Sequence, residues 1–233
     1  MKCVWEHNGD DTLLYSVEYI GAYTRGETLE AAAAKMRAEI LSYCAWANCG
    51  ITKEGIIEIV QEKASDLQIA DADSDVLFDF EREPLSQEEY EGLKALALKS
   101  AKDFYALYSA VPDKQKSRLP ERRTFYGNAP RTAQQMYDHT KSVNAYYFGE
   151  IGIDADNDGT IYDCRKRGFD LLEQKGGFLE NSIFEGSYGE LWSLRKVMRR
   201  FIWHDRIHAK AMYRMAAKTF GKFDGTNPFG FSR

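Results

Sequence analysis

The chain of 233 residues contains little histidine, cysteine or proline, with four, four and five residues of each type. It has no run of about 20 apolar residues, so a membrane-spanning helix is not predicted. No apolar segment separates Met1 from the charged residues Glu6 and Asp10; we therefore predict no signal peptide and expect a soluble, cytoplasmic protein. The cysteines show no Cys-x-x-Cys spacing, and we interpret them as small buried residues rather than as zinc ligands or disulfides.

Charge is distributed unevenly along the chain. Residues 1–85 include 17 acidic and 7 basic residues, whereas residues 86–233 include 19 acidic and 24 basic residues. Such asymmetry indicates two domains of different character, which we place at residues 1–83 and 84–233. Because the acidic part repels phosphate and the net charge of the chain is −5, nucleic-acid binding is not expected.

The first domain is predicted to be a small α/β unit. Turn residues around Asn8 and Gly9 separate two segments rich in Val, Leu, Tyr and Ile, and Thr28 is a natural N-cap for an alanine-rich helix. The predicted β-β-α-β order comprises strands at residues 2–6 and 12–19, a helix that ends near residues 48–50, and a strand at residues 55–62, with a further strand at residues 76–80. The segment VEYIGAYTRGETLEAAAAKMRAEILSY resembles the HicB-like antitoxin fold, and this resemblance implies the shape without implying a function.

The second domain is predicted to contain four helices. Three of them begin with a capping box, in which a hydroxyl residue is followed three positions later by Glu or Gln. These capping boxes are Ser86 with Glu89, Thr132 with Gln135, and Ser187 with Glu190. The remaining helix spans residues 160–175 and is expected to end at a pair of glycines.

The last helix separates its apolar and basic residues. At 100° per residue, side chains from Leu191 to Met215 form an apolar arc, and eight Arg and Lys side chains lie on the opposite side, which we expect to be solvated. Trp192, Trp203 and Ile207 point towards the basic side. Exposed tryptophans mark contact surfaces, so we expect this side to pack against the first domain or a second subunit.

Three of the four histidines are expected to converge. His204 and His208 are four residues apart, so their imidazoles project from adjacent turns of one helix and can reach the same divalent ion. His139 lies on the inner stripe of the second predicted helix. Histidines at this spacing also occur by chance in cores and on surfaces, but a shared metal would satisfy three imidazoles directed into one core.

The segments RTAQQMYDHTKSVNAYYFGEIG and LWSLRKVMRRFIWHDRIHAKAMYRM, with one histidine late in the former and a pair in the latter, resemble the DinB/YfiT-like superfamily over residues 86–220. The resemblance implies a DinB-like four-helix bundle for this part of the chain, and with the small β-β-α-β domain before it we predict an α+β fold. The acidic N-terminal domain is not part of the usual family pattern. The resemblance also implies a divalent metal, nickel or zinc, on His139, His204 and His208 with open coordination positions. Several members of this superfamily use a low-molecular-weight thiol as transferases or isomerases.

The predicted function is therefore that of a metal-dependent enzyme, a thiol S-transferase or a hydrolase, that acts on an unidentified small molecule. Two alternatives stay open. The chain is a non-catalytic module that binds metal or a partner, or it is a metal-free structural dimer. We expect a homodimer in each case.

Asp205 lies close to the centre of the apolar arc of the last helix. One interpretation makes it a catalytic base or an acceptor near the metal. The favoured alternative is a salt bridge to an arginine of another helix.

Residues 154–161 match the first eight positions of an EF-hand calcium loop, with Asp154, Asp156 and Asp158 as the carboxylates. Position 12 is Arg165 where calcium requires glutamate, so this calcium site would be weak. The favoured interpretation is an acidic loop whose aspartates form Asx-turns and cap the next helix.

Overall fold

A computed structural model describes residues 1–51, 56–221, 223 and 225–231. In these residues the chain is mixed α+β, with five α-helices, one four-stranded sheet and two short two-stranded ladders. The coarse fold class predicted from the sequence is thus confirmed. None of the described helices combines the length and apolar character that a membrane span requires.

The first part of the chain forms the sheet with one helix packed on it. Its elements are β1 (Lys2–His7), β2 (Thr12–Ser16), β3 (Tyr23–Gly26), α1 (Leu29–Ala47) and β4 (Glu58–Ala64). The strand order is β3-β2-β1-β4; β4 is parallel to β1, whereas the other two pairs are antiparallel. The helix α1 makes the crossover between these strands, as a parallel pair requires.

Most of the local predictions for this part are confirmed. The Thr28 hydroxyl accepts a hydrogen bond from the Ala31 N–H, and the helix ends at Asn48 in a left-handed conformation. The strand β3 is absent from the prediction, because its four residues lack a recognisable pattern and form a strand only through their ladder with β2. The predicted strand at residues 55–62 corresponds to β4, although Gly55 lies outside the described residues.

The predicted strand at residues 76–80 is wrong. Residues 73–78 have no regular structure, and Asp79–Arg82 form a 3₁₀ turn. The Val76 N–H donates to the carboxylate of Glu6 at 3.2 Å instead of to a neighbouring strand. Val76 and Phe78 are nevertheless buried, so the apolar pattern indicates burial correctly and the element incorrectly.

The second part of the chain contributes four helices that pack on one another. They are α2 (Gln87–Ala110), α3 (Ala133–Gly149), α4 (Ile161–Glu173) and α5 (Leu194–Phe220). Between α2 and α3, β5 (Arg123–Thr124) and β6 (Gly127–Asn128) form a short hairpin. Before α5, β7 (Phe184–Glu185) pairs with β8 (Leu191–Trp192).

The predicted helix starts are correct for α2, α3 and α4, where Ser86, Thr132 and Thr160 are N-caps. The start predicted for α5 is wrong. The N–H and hydroxyl of Ser187 donate to the Glu150 carboxylate at 2.7 and 2.6 Å, and Leu191 belongs to β8. The actual N-cap of α5 is Ser193, whose hydroxyl accepts from the Lys196 N–H.

The basic side of α5 is solvated only in part: Arg214 and Lys218 are exposed as expected, but the residues that face the sheet are not. Arg199 and Arg206 are almost fully buried, and each pairs with a buried glutamate from the first part of the chain. The Arg199 guanidinium contacts both carboxylate oxygens of Glu81, and Arg206 Nη2 lies 2.6 Å from Glu39 Oε1. Acidic residues of the first part of the chain and basic residues of α5 therefore form ion pairs with each other.

The tryptophans near this side are also buried rather than exposed. Trp203 packs between Tyr15 and Tyr23 of the sheet, with ring centroids 5.9 and 5.8 Å away. The predicted contact between this side of α5 and the first domain is thus confirmed. Trp192 packs instead on Tyr147 of α3, at 5.3 Å.

Candidate metal centre

Two helices position the three histidines. Thr132 caps α3 and fixes its register, which places His139 in its second turn. His204 and His208 occupy successive turns of α5, which packs along α3. The pairing of α3 with α5 therefore brings together residues that are 65 positions apart in the sequence or more.

The three imidazoles face one another at close range. Ring centroids are 5.1 Å apart for His139 and His204, 4.6 Å for His139 and His208, and 4.4 Å for His204 and His208. One ligating nitrogen from each ring lies within 4.8 Å of the others. Nitrogens bound to one tetrahedral zinc ion at about 2.0–2.1 Å are about 3.4 Å apart, so binding a metal would draw the three imidazoles closer together. The predicted convergence of the three histidines is confirmed, and they lie close enough to hold a metal ion.

Burial keeps these imidazoles neutral. It lowers the pKa of His139 and lowers the pKa of His208 to about 3, with a further effect from His139. Burial also holds the pKa of His204 well below its usual range, and the nearby His208 and His139 add to this shift. A neutral imidazole presents a free lone pair, which is the form that binds a metal.

The donor set fits a divalent transition metal. His204 is buried, and its Nδ1 has no hydrogen-bond partner among the described residues. An unpaired buried polar atom is unfavourable, and three converging neutral imidazoles suit zinc or nickel. Elsewhere in the described chain no other group of three His, Cys, Asp or Glu side chains converges in this way.

The histidines open onto a cavity of about 780 Å³ between the sheet and the helices. Its walls are formed by the loop after β4, the β5–β6 hairpin, and the facing sides of α3 and α5. Its polar walls include Arg25, Arg122, Arg200, Asp71, Asp73, Asp75 and Glu190. Its aromatic walls are Phe125, Tyr126, Tyr146, Tyr147, Tyr188 and Trp203.

The hairpin covers the histidines on one side. The Tyr126 ring stacks on His139 with centroids 5.6 Å apart and an interplanar angle of 21°. The rings of Tyr147 and His204 are nearly perpendicular, with centroids 6.2 Å apart. The centre is thus framed by aromatic rings but continuous with the cavity.

Asp205 lies next to His204 in sequence but faces away from this cavity. It is fully buried, receives two hydrogen bonds from the Arg165 guanidinium of α4 and is hydrogen-bonded to Ser100 of α2. The salt bridge to another helix is therefore present. Asp205 is not among the described residues that line the cavity, so its catalytic role stays a prediction that this geometry does not support.

The loop with Asp154, Asp156 and Asp158 does not gather its carboxylates around one point in the described structure. Asp156 Oδ1 accepts from the Asp158 N–H at 2.8 Å and pairs with Arg167, while Asp163 caps α4 with Thr160. Arg165, at the twelfth position, is fully buried in the core. This arrangement matches the interpretation as Asx-turn and helix cap.

Several cavity residues are missed by sequence reasoning. Tyr126 and Phe125 lie on a hairpin of two-residue strands, too short to give a sequence pattern. The helical wheel assigns Arg200 to a solvated face, although its spacing from the histidines carries a signal. Residues 200, 204 and 208 are four apart in turn and so share one side of a helix.

Comparison with known proteins finds no matching family model, no similar curated protein and no similar solved structure. The resemblance to the DinB/YfiT-like superfamily therefore rests on the residues quoted from the sequence.

Proposed function

We propose that the chain is a divalent-metal-dependent enzyme of the DinB/YfiT-like type, with nickel or zinc on His139, His204 and His208. The observation that carries this proposal is the position of the histidines: three neutral imidazoles with nitrogens within 4.8 Å of one another at the wall of a cavity of about 780 Å³. A metal with three protein ligands and an accessible side is typical of catalytic sites, whereas structural sites are closed by four ligands.

The reaction we propose is attack of a thiol sulfur, or of a water oxygen, on an electrophilic carbon of a small molecule. The new bond replaces the bond to a leaving group, which departs with its electron pair, and the proton of the nucleophile passes to solvent. A bound divalent ion lowers the pKa of a coordinated thiol or water and so supplies a nucleophile at neutral pH. The residues around the metal would contribute in two further ways. Burial holds the histidines neutral, and Tyr126 and Tyr147 limit the access of water to them. The cavity has room for a substrate of ordinary metabolite size.

Metal analysis of protein purified without a histidine tag tests the first step. We expect about one equivalent of nickel or zinc per chain, and a rise in melting temperature when metal is added to the chelated protein. His204→Ala should abolish both. His7→Ala is the matched control, because His7 stacks on Trp5 and pairs with Glu62 in the sheet.

Absence of metal in wild-type protein, together with no change in melting temperature on adding zinc or nickel, would contradict the proposal. The catalytic step needs a separate assay. Conjugation of glutathione to monochlorobimane, followed by fluorescence, should proceed faster with metal-loaded wild-type protein than with His204→Ala. Metal binding without any such rate difference, for this or other thiol acceptors, favours the non-catalytic alternative.

A further inference from the structure

Four arginines lie on or against α5 in the interior of the fold, and three of them are buried in pairs with carboxylates. Arg165 pairs with Asp205, Arg199 with Glu81, and Arg206 with Glu39. The fourth is Arg200, which is partly buried, forms no ion pair with any described residue and lines the cavity.

The surroundings of Arg200 leave part of its hydrogen-bonding capacity unused. Its Nη1 donates to the Ser74 carbonyl at 2.8 Å, but its Nε is buried without a partner in the described structure. The guanidinium lies 4.8 Å from the ring centroid of Trp203 and 5.4 Å from that of Tyr147. These contacts hold the planar group in place without neutralising its charge.

Three of the four carboxylates in the same cavity pair with other cations, which are Glu190 with Lys196, Asp75 with Lys63, and Asp71 with Arg122. The fourth, Asp73, accepts a hydrogen bond from the Gln68 N–H at 3.3 Å. Asp73 forms no ion pair with Arg200, although Arg200 opposes the rise in the pKa of Asp73 that burial causes.

Glu190 and Glu6 stabilise the Arg200 charge at longer range, but neither forms an ion pair with it. A cation withdrawn from bulk water without a directly paired counterion is destabilising, so a site that retains one requires a reason. An anionic ligand in the cavity would supply the missing partner.

We propose that Arg200 binds the carboxylate of a small organic acid whose apolar or aromatic body lies against the tyrosines and tryptophan of the cavity. This inference deepens the proposed function and rests on it, because it names the substrate class of the same site. Arg200 lies about 6 Å along the helix axis from His204, at 1.5 Å per residue. A carboxylic acid with a second donor or reactive group at that spacing can therefore contact both.

A monoanionic carboxylate fits this site better than a phosphate ester. One guanidinium fork matches the two oxygens of a carboxylate in a bidentate contact. Asp73, which forms no ion pair with a described cation, also lines the cavity and would repel a dianion more strongly than a monoanion.

The test uses chelated, metal-free protein and measures binding of benzoate by titration calorimetry. We expect benzoate to bind about tenfold or more tightly than its uncharged isostere benzamide, the range of one charge-assisted hydrogen-bonded pair. Arg200→Met should remove this preference, and Arg200→Lys should restore only part of it because the fork is lost. Arg122→Met is the control within the same cavity, since the Arg122 charge is already paired with Asp71, and it should change benzoate affinity less than about twofold.

Three results would overturn the inference: no difference between benzoate and benzamide, undiminished benzoate binding in Arg200→Met, or an equal loss in Arg122→Met. Tighter binding of phenyl phosphate than of benzoate would reject the carboxylate assignment. The melting temperature of each variant checks that it is folded, and Arg200→Lys provides the comparison if Arg200→Met is not. Because the protein is metal-free, failure of this test is independent of failure to bind nickel or zinc.

Discussion

Arg200 precedes His204 by one turn of α5, and the side chains of both residues line the same cavity. The neighbouring Arg199 is buried against Glu81, and the two guanidinium groups donate to carbonyls of one segment, those of Val76 and Ser74. One helix thus holds the interface to the sheet with one arginine and directs the next towards the candidate centre. The predictions below separate these two roles and test how the sheet supports the site.

The two adjacent arginines should differ in their effect on stability. Arg199→Met leaves the Glu81 carboxylate buried without its cation, so we expect a loss of about 3–5 kcal/mol in the free energy of unfolding. Arg200→Met removes an unpaired charge and one hydrogen bond to Ser74, and we expect a change within about 1 kcal/mol. Urea denaturation of the metal-free variants measures both. Equal losses in the free energy of unfolding would show that the charge of Arg200 is paired in the folded chain as strongly as that of Arg199.

The ion pair between Arg206 and Glu39 should join the sheet part to the helices. Both side chains are nearly fully buried, so Arg206→Met should lower the free energy of unfolding by about 3–5 kcal/mol. Lys210→Met is the matched control. Lys210 lies 3.5 Å from the same carboxylate but is 38% exposed, and such a pair contributes about 0–1 kcal/mol. Similar effects of the two substitutions in denaturant titrations would contradict this assignment.

Gly21 should be required for the approach of the sheet to α5. A Cβ atom at this residue would lie 2.5 Å from Ile202 Cγ2 and 3.1 Å from the Trp203 backbone nitrogen. Gly9 is the matched control, because it also has a positive φ (+94°, against +89° for Gly21) but a Cβ atom there would meet nothing within 4 Å. Both alanine variants carry the backbone strain of a positive φ, and only Gly21→Ala adds overpacking, typically about 1–3 kcal/mol.

Metal affinity provides a second measurement for the same pair of variants. Ile202 and Trp203 immediately precede His204, so displacing them should weaken nickel or zinc binding in Gly21→Ala and leave it unchanged in Gly9→Ala. Competition with a fluorescent zinc chelator measures the affinity. Equal stability and equal metal affinity of the two variants would show that the contact between Gly21 and α5 is dispensable.

Lys196 should make stability depend on alkaline pH. Burial lowers the pKa of Lys196 from 10.5 to about 8, although Glu190 nearby opposes the shift. Between these two values the unfolded chain keeps the proton and the folded chain releases it. The contribution of Lys196 to the free energy of unfolding therefore rises with pH in this window, by at most about 1.4 kcal/mol per pH unit.

Urea titrations of wild type and Lys196→Met at pH 7, 8, 9 and 10, roughly spanning the window of this linkage, isolate the effect. The difference in free energy between wild type and variant should rise in favour of the wild type above pH 8. Methionine preserves the apolar stem of the side chain and does not titrate. A constant difference across the series would show that Lys196 stays protonated in the folded chain.

Local signals in the sequence predict a large part of the secondary structure. The hydroxyl caps Ser86, Thr132 and Thr160 act through hydrogen bonds to residues three positions away, so they identify helix starts without reference to the rest of the fold. Ser187 shows the same pattern and fails, because its donors are satisfied by Glu150, 37 residues earlier. A local sequence motif carries no information about a hydrogen-bond partner this far away in the chain.

The α+β class, most of the helices and the side of α5 on which two histidines lie could be predicted from the sequence, because these depend on spacing along the chain. The burial of Arg199 and Arg206 on the basic side of α5 could be learned only from the packing of the chain, since burial of a cation depends on whether a carboxylate from another element meets it. The same holds for the site. Spacing suggested that His139 joins His204 and His208, but the packing of α3 on α5 set their distances. The sheet and hairpin supplied the cavity in which Arg200 forms no ion pair with a described residue.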